Sequence, residues 1–171
     1  KDIVIKKLKK LLEAPSVKKI GQNIKFDFIV LFKHGIKLSA MEDTMLMSYV
    51  LDAGKNRHNM DTLAEIHLGH KTIQFRDLVG TGKKQINFSE VDVNLAKDYA
   101  AEDADVTFRL YKKFLKNLKS EKLINIYEIF EKPLIKILAF MEIEGVEIDS
   151  KFLQSLSKKF EKKILTLEKD I

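Results

Sequence analysis

The sequence predicts an α/β fold, and two observations support this prediction. Short extended segments alternate with helical segments through the first half of the chain, as they do around a parallel sheet. Hydrophobic residues make up 45% of the 171 residues, which is enough to bury the core of one domain with an extension. We therefore expect a folded α/β domain followed by further helices.

The first half of the chain carries start and stop signals for each element. Pro15 ends the first helix, and Asn23 is expected to cap the second helix, which stops at Gly35. Thr44 is expected to cap the third helix. The predicted elements are a helix at 3–12, a strand at 19–22, a helix from 24 to 32 or 33, an extended segment at 36–43, a helix at 45–51, a polar loop at 56–61, a helix at 62–68 and an irregular segment at 69–88.

The second half of the chain is predicted to be helical. A long amphipathic helix includes residues 96–114, and another helix spans 123–144 with Pro133 near its middle. Residues 146–149 form a short link to an amphipathic helix at 150–171, which is dense in Lys and Glu. We expect a piece of a longer protein, divided into a domain at 1–122, a connecting helix and link at 123–149 and the start of a separate helical unit at 150–171.

The composition excludes several classes of protein. The chain has no cysteine, which excludes disulfides, thiolate zinc sites and cysteine nucleophiles and favours a cytoplasmic location. No run approaches the roughly 18 apolar residues that span a bilayer, so no membrane partner is expected. The net charge of +6 favours an anionic partner such as nucleic acid, although the lysine clusters at 6–10 and 158–163 are typical of solvated helix faces.

The most unusual feature is a carboxylate in the apolar stripe of the long helix. Asp103 lies one turn after Tyr99 and shares its helix face with Val106 and Leu110. An inward carboxylate needs hydrogen-bond donors, an opposite charge or a metal ion. Asp103 is therefore either a structural group that pairs with a lysine or caps a neighbouring segment, or part of a functional site.

A second carboxylate, Asp27, is predicted to face inward in the same way. It shares a helix face with Ile24, Phe28 and Leu31. If Asp27 and Asp103 approach one point, their repulsion favours a divalent cation, and carboxylate and water ligands suit Mg²⁺ or Mn²⁺. Two such ions support the hydrolysis of phosphodiester bonds, and a tyrosine hydroxyl beside them can orient the attacking water.

An ordered set of motifs resembles the 3′→5′ proofreading exonuclease domain of the bacterial DNA polymerase I family. The segment GQNIKFD at 21–27 resembles the second exonuclease motif of that domain, and YAAED at 99–103 resembles the third. Further similar segments are EDTMLMSYVL at 42–51, RHNMDTLAE at 57–65, GTGKKQ at 80–85, EKPL at 131–134 and MEIEGVEID at 141–149. The resemblance implies an incomplete ribonuclease H-like exonuclease fold over 1–122, with its opening strands missing, and the start of a polymerase domain at 150–171.

The resemblance also implies the roles of individual residues. Asp27 and Asp103 are expected to bind two ions, Mg²⁺ or Mn²⁺, and Tyr99 is expected to align the attacking water. The residues expected to contact a single-stranded DNA 3′ end are Gln22, Asn23, Arg57 and Phe75. The first three suit the sugar-phosphate backbone and Phe75 suits a terminal base. The residues alone also allow Asn23 to be a helix cap, Phe75 a core residue and Arg57 a solvated charge.

The first motif of that family, Asp-x-Glu on an opening strand, does not occur before Asp27. The resemblance assigns further metal ligands to that strand, so we expect these 171 residues alone to be inactive. Three functions remain open: a segment of a DNA polymerase I that proofreads and polymerises DNA, a non-catalytic DNA-binding scaffold, and a ribonuclease D-like RNA exonuclease. The link at 141–149 argues against the RNA exonuclease.

Overall fold

A computed structural model describes residues 2–169 of the chain and the side chains of 3–169. The elements are α1 (Asp2–Glu13), β1 (Lys19–Gly21), α2 (Ile24–Lys33), β2 (Met41–Asp43), α3 (Thr44–Asp52), α4 (Met60–Leu68), α5 (Phe75–Val79), α6 (Val93–Ser120), α7 (Ile124–Ile126), α8 (Lys132–Glu144) and α9 (Ser150–Leu167). Two 3-10 helical turns, Gly82–Lys84 and Phe88–Glu90, lie between α5 and α6, and a π-helical turn, Tyr127–Glu131, lies between α7 and α8.

The strands form a small parallel sheet within a mostly helical chain. β1 pairs with β2 in the register Lys19 to Met41 and Gly21 to Asp43. The extended segment predicted at 36–43 pairs as a strand only over its last three residues. Ile36 and Leu38 are buried, but the backbone of this segment is irregular and does not join the sheet. The helix–strand alternation is therefore present, with short strands.

Asn23 lies at the N-cap position of α2 as predicted, but the side chain that caps α2 is that of Asp43. The predicted Thr44 cap of α3 is wrong, because Asp43 caps this helix as well. Asp43 Oδ1 accepts the backbone N–H of Asn23 at 3.1 Å and that of Met45 at 2.8 Å. Asp43 Oδ2 accepts the N–H of Ile24 at 2.9 Å. Asn23 has a left-handed backbone with φ of 59° and no capping bond from its side chain, and Thr44 is the first residue of α3. Parallel pairing brings Asp43 next to Gly21, which places its carboxylate at both helix starts.

Two clusters of buried side chains form the core. The first joins α3, α4 and α6, and its buried members are Met47, Leu63, Ala64, Val106, Leu110, Tyr111, Phe114, Leu118 and Tyr127. The second lies against α2, and its buried members are Ile24, Phe28, Leu38, Met41, Ile135 and Ala139. Val106 and Leu110, which share the predicted apolar face of α6, are buried, whereas Tyr99 in the first half of this helix is half-buried and its neighbour Ala100 is exposed. The first half of α6 is therefore available to form a surface site.

The helix predicted at 123–144 is continuous but contains the π-helical turn just before Pro133. Proline has no N–H to donate, and its ring collides with the carbonyl that would lie four residues earlier, so a wider turn relieves the clash. Residues up to Phe140 form one compact unit, and residues from Met141 onward form a second. The domain boundaries predicted at 122 and 149 remain predictions.

The second unit contains the end of α8, an irregular link and α9. The predicted helix at 150–171 is confirmed as Ser150–Leu167, and the last two residues of that prediction lie outside the described part of the chain. Asp149 caps α9 by accepting the N–H of Phe152 at 2.9 Å. Among the described residues, no helix combines the length and the hydropathy needed to cross a membrane.

Candidate nuclease site

Asp27 and Asp103 line the same open cleft, although they lie far apart in the sequence. The cleft has a volume of about 330 Å³ and is formed by the β1–α2 turn on one side and α6 on the other. Gly21 and Gln22 line it from the turn, and Thr107 lies deeper on α6. The structure therefore brings together the two carboxylates that the sequence singled out.

Asp103 is the partly buried carboxylate of this cleft. Its Oδ1 atom is buried and has no hydrogen-bond partner among the described residues. Burial raises the pKa of Asp103, and the charges of Asp61 and Glu102 raise it further, whereas a hydrogen bond from Tyr99 lowers it. An orphaned carboxylate oxygen in a cleft is unfavourable unless a donor or a cation reaches it.

Asp27 lies on the opposite wall and is more exposed than its helix face predicted. Ile24 and Phe28 on the same helix are buried, but Asp27 is an exposed residue at the margin of that face. Its pKa is raised by partial burial, although a hydrogen bond from its own backbone N–H lowers it. The expectation that Asp27 points into the core is wrong, because the helix edge here borders the open cleft.

Tyr99 lies one turn before Asp103 and is half-buried. Burial together with the charge and hydrogen bond of Asp103 raises the pKa of Tyr99 to about 12. The hydroxyl therefore stays protonated at neutral pH. It can hold a water molecule by hydrogen bonds, but it is a poor general base.

Tyr99 forms a cluster of three aromatic rings with Phe75 and Phe88. Phe75 stacks on Phe88 with ring centroids 5.8 Å apart and an angle of 24° between the planes. Tyr99 lies 6.0 Å from Phe75 and 6.1 Å from Phe88. Phe75 remains 47% exposed, so the interpretation of this residue as a core side chain is wrong. The cluster offers an apolar surface to a flat ring next to the cleft.

The segment that carries Phe75 is tied to α6 by Glu102. The carboxylate of Glu102 accepts the backbone N–H of Ile73 at 2.6 Å and lies 2.7 Å from His70 Nε2. Thr72 ties the same segment to α4, because its hydroxyl donates to Asp61 at 2.6 Å. Burial raises the pKa of Glu102, but the Ile73 and His70 interactions outweigh it and lower the pKa overall. This arrangement fixes the aromatic cluster relative to the cleft.

The three polar residues predicted to contact DNA have different surroundings. Gln22 lines the cleft, but its side-chain amide donates to the His58 carbonyl at 2.7 Å and accepts the Thr44 hydroxyl at 2.5 Å. Asn23 is exposed and lines a separate cavity with Asp43. The structure therefore does not bring Asn23 into the cleft that contains the two carboxylates.

Arg57 is exposed on the loop between α3 and α4. The neighbouring residue, His58, is held by its carbonyl to Gln22 and by its ring Nδ1 to the Ser48 hydroxyl at 2.9 Å. This anchoring keeps the Arg57 backbone close to the edge of the cleft. Its guanidinium has the chemistry to bind a phosphate or a sugar there.

The cleft supplies oxygen ligands of the kind that a hard divalent cation needs, but too few of them. Asp27 and Asp103 supply carboxylate oxygens, one of them buried without a partner. Within the described residues, no group of three His, Cys, Asp or Glu side chains lies close enough together to hold a metal ion. The residues present therefore fit part of a metal site and need further ligands from elsewhere.

Comparison with known proteins identifies the family of the chain. Residues 1–119 match the model of a family described as 3′-5′ exonuclease of DNA polymerase A. The chain belongs to this exonuclease family. The match covers every motif from GQNIKFD to YAAED, and it confirms the resemblance from which the sequence-based expectations about the fold were drawn.

Curated relatives of this exonuclease-family chain are DNA polymerases. The DNA polymerase I of Rhizobium leguminosarum is 44% identical over 165 residues, which cover 96% of this chain and 16% of that protein. The DNA polymerase I of Pseudomonas aeruginosa is 40% identical over 173 residues, which cover 99% of this chain and 19% of that protein. The chain therefore spans less than a fifth of the length of these relatives.

Several residues of this exonuclease-family chain escaped the sequence analysis. Phe88 joins the aromatic cluster, and Asp61 lies close enough to raise the pKa of both Asp103 and Tyr99. Glu102 anchors the Phe75 segment to α6. The sequence signal for Glu102 was its place next to Asp103 in the motif, but nothing in the sequence identified Ile73 as its partner.

Proposed function

We propose that the polypeptide that carries this chain is a DNA polymerase I, and that the chain is part of its 3′→5′ proofreading exonuclease. The substrate is the 3′ end of a single DNA strand, and polymerase activity resides in the rest of the polypeptide. The observation that carries the proposal is that Asp27 and Asp103 share one cleft, with Tyr99 one turn away. Action on chromosomal DNA places the protein in the bacterial cytoplasm beside the nucleoid.

The cleft residues have separate tasks in this reaction. Water attacks the terminal phosphodiester, the bond from phosphorus to the 3′ oxygen of the preceding nucleotide breaks, and a nucleoside 5′-monophosphate leaves. Tyr99 orients the attacking water as a neutral hydroxyl, since its pKa is about 12. Mg²⁺ or Mn²⁺, when bound, supplies charge stabilisation and a more acidic water. Asp27 and Asp103 would hold the ions together with the carboxylates of an Asp-x-Glu strand.

The rest of the site handles the end of the DNA strand. Phe75 stacks on the terminal base through its exposed ring, which suits a site that must accept any base. Arg57 binds the sugar-phosphate backbone at the cleft edge, and the remaining amide proton of Gln22 contributes a further bond. Asn23 acts on the backbone outside the carboxylate cleft.

The experiment that tests this function compares the intact polypeptide with the 171 residues alone. Purified protein is incubated with a single-stranded oligonucleotide labelled at its 5′ end, in Mg²⁺, Mn²⁺ or chelator. Stepwise shortening that requires the cation supports the proposal. The 171 residues alone are assayed in parallel, and we expect no shortening from them, because their cleft holds too few ligands.

A non-catalytic scaffold is a second candidate, and one observation favours it. No group of three metal-ligating side chains is present in the described part of the chain. The presence of Asp27, Tyr99 and Asp103 together favours the enzyme, since a scaffold has no need of them. Intact polypeptide that binds single-stranded DNA but never shortens it, with either cation, would decide for the scaffold. Shortening of RNA in preference to DNA would instead support a ribonuclease D-like enzyme.

A further inference from the structure

A buried hydrogen-bond network joins the connecting helix to β2. Tyr127 is fully buried, and its hydroxyl donates to Glu42 Oε2 at 3.0 Å. The same hydroxyl accepts the backbone N–H of Asp43 at 2.9 Å. Glu42 is only 3% exposed, and Lys132 Nζ lies 2.8 Å from its Oε1. The hydroxyl of Tyr127 thus serves as donor and acceptor to two adjacent residues of the strand.

Asp43 transmits this constraint to the wall of the cleft. Its Oδ2 accepts the Ile24 N–H that begins α2, while its Oδ1 accepts the Met45 N–H in the first turn of α3. A carboxylate that caps two helices fixes the start of one relative to the other. Because α2 carries Asp27 and begins two residues after Gln22, the position of Asp43 sets the position of that wall.

We propose that Tyr127 is a positioning residue of the exonuclease site, which acts by holding Asp43 and, through Asp43, the amino end of α2. This inference rests on the proposed exonuclease function. Tyr127 does not line the cleft, and it lies beyond residues 1–119, which the family model matches. The connecting helix is therefore a working part of the nuclease and not only a link to the next domain.

Packing alone does not account for the hydroxyl of Tyr127. A phenylalanine would fill nearly the same space in the first core cluster without burying a polar group. Glu42 is equally unusual, because it brings a carboxylate into the core, where Lys132, Lys18 and Tyr127 satisfy it. The benefit of this costly arrangement is a fixed position for the N–H of Asp43, which would otherwise have no partner in the core.

The principal test compares Tyr127→Phe with Tyr111→Phe in the intact polypeptide. Tyr111 is a matched control, because it is buried in the same cluster and its hydroxyl accepts a hydrogen bond from Lys18. Lys18 also lies 3.5 Å from Glu42, so this control reaches the same carboxylate, but without a bond to Asp43. Three quantities are measured on folded protein at 25 °C. They are the KM for a single-stranded DNA 3′ end, the KM for Mg²⁺, and the rate of hydrogen exchange at the amides of residues 23–27.

For Tyr127→Phe we expect both KM values to rise about fivefold and the Ile24 amide to exchange about tenfold faster, because the cap that protects it is no longer fixed. Tyr111→Phe is expected to change each quantity less than about twofold. Wild-type KM values and exchange rates in folded Tyr127→Phe would overturn the inference. Equal changes in both variants would also overturn it, because they would indicate a general effect of removing a buried hydroxyl.

A second variant, Asp43→Asn, keeps the test decisive if Tyr127→Phe fails to fold. The amide retains one oxygen for Met45 but presents an N–H₂ group to the N–H of Ile24. We expect about tenfold faster exchange at Ile24 with little change at Met45. Unchanged exchange at Ile24 would overturn the inference. If wild-type protein shows no nuclease activity, the proposed function fails, whereas the exchange measurements still decide whether Tyr127 positions α2.

Discussion

Tyr99 and Asp103 lie one turn apart on α6 and shift the pKa of each other in opposite directions. Burial raises the pKa of both groups; the charge and hydrogen bond of Asp103 raise the pKa of Tyr99 further, to about 12, whereas the Tyr99 hydroxyl offsets part of the rise in the pKa of Asp103. The pair therefore stays in the form of a neutral phenol beside a carboxylate over a wide pH range. This form suits one group that orients water and one that binds a cation.

Replacing Asp103 with Ala is expected to abolish release of nucleotides from a single-stranded 3′ end by the intact polypeptide. The change removes the carboxylate whose Oδ1 has no partner among the described residues. Polymerisation on a primed template is expected to stay at the wild-type rate. Both activities are measured on the same preparation. Undiminished shortening of the 3′ end by this variant would contradict the assignment of Asp103 to the site.

Replacing Asp103 with Asn is expected to stabilise the protein in the absence of divalent cations. The raised pKa means that the ionised carboxylate is disfavoured in the folded state, so its destabilising effect is present at neutral pH and disappears as the pH falls below the unfolded value near 3.8. We expect thermal unfolding in chelator at pH 7 to occur about 2–4 °C higher in the variant.

The same melting experiment tests cation binding. Added Mg²⁺ is expected to raise the unfolding temperature of the intact wild-type polypeptide, because a ligand that binds only the folded state stabilises that state. Asp103→Asn should lose most of this increase. At pH 3.5 the two proteins are expected to melt within about 1 °C of each other, since Asp103 is then largely protonated in both states. A lower melting temperature of the variant at pH 7 would contradict the prediction.

Replacing Phe75 with Ala is expected to weaken binding of a single-stranded 3′ end by about 1–3 kcal/mol, the usual contribution of one stacked base. Phe108→Ala is the matched control, because Phe108 is 45% exposed on α6 and Phe75 is 47% exposed. Affinity is measured in chelator, so that no cleavage occurs. Equal losses in the two variants would show that Phe75 has no special part in binding.

Replacing Glu102 with Gln is expected to loosen the segment that carries Phe75. Its carboxylate holds both His70 and the Ile73 N–H, and these interactions lower its pKa. The stability that it contributes is therefore present above the unfolded pKa of the group, near 4.5, and is lost as the pH falls through the folded value. We expect a loss of about 1 kcal/mol of stability at pH 7 and almost none at pH 3.

This Glu102 prediction is checked by urea unfolding of both proteins at the two pH values. A Glu65→Gln variant serves as the control, because Glu65 is exposed on α4 and makes no ion pair in the described structure. A loss of equal size at pH 3 and pH 7 would show that the charge of Glu102 is not what stabilises the segment.

Local signals in the sequence were enough to predict most helices. Pro15, Gly35 and Gly145 lie next to helix ends in the structure, because proline and glycine act on the backbone at their own positions. The caps of α2 and α3 could not be predicted in this way. Asp43 caps α2 from 19 residues away, and only the pairing of β1 with β2 brings it there.

The candidate site was predictable to a similar extent. The sequence singled out Asp27 and Asp103 because a carboxylate in an apolar stripe is costly, and the structure places both in one cleft. The exposure of Asp27 was missed, since helical periodicity defines a face but not where that face meets a cleft. Phe88 and the Glu102–Ile73 bond were missed because contacts between distant segments leave no spacing pattern in the sequence.

The π-helical turn between α7 and α8 determines which side chains of the connecting helix reach each core cluster. It contains one residue more than an α-helical turn, which rotates everything after it by about 100° around the helix axis. Tyr127 therefore faces the first cluster, while Ile135 and Ala139 face the second. Deletion of a single residue within this turn would restore regular α-helical winding and rotate Ile135 away from its partners in the second cluster. The number of residues in this turn is therefore constrained, and not only their identity.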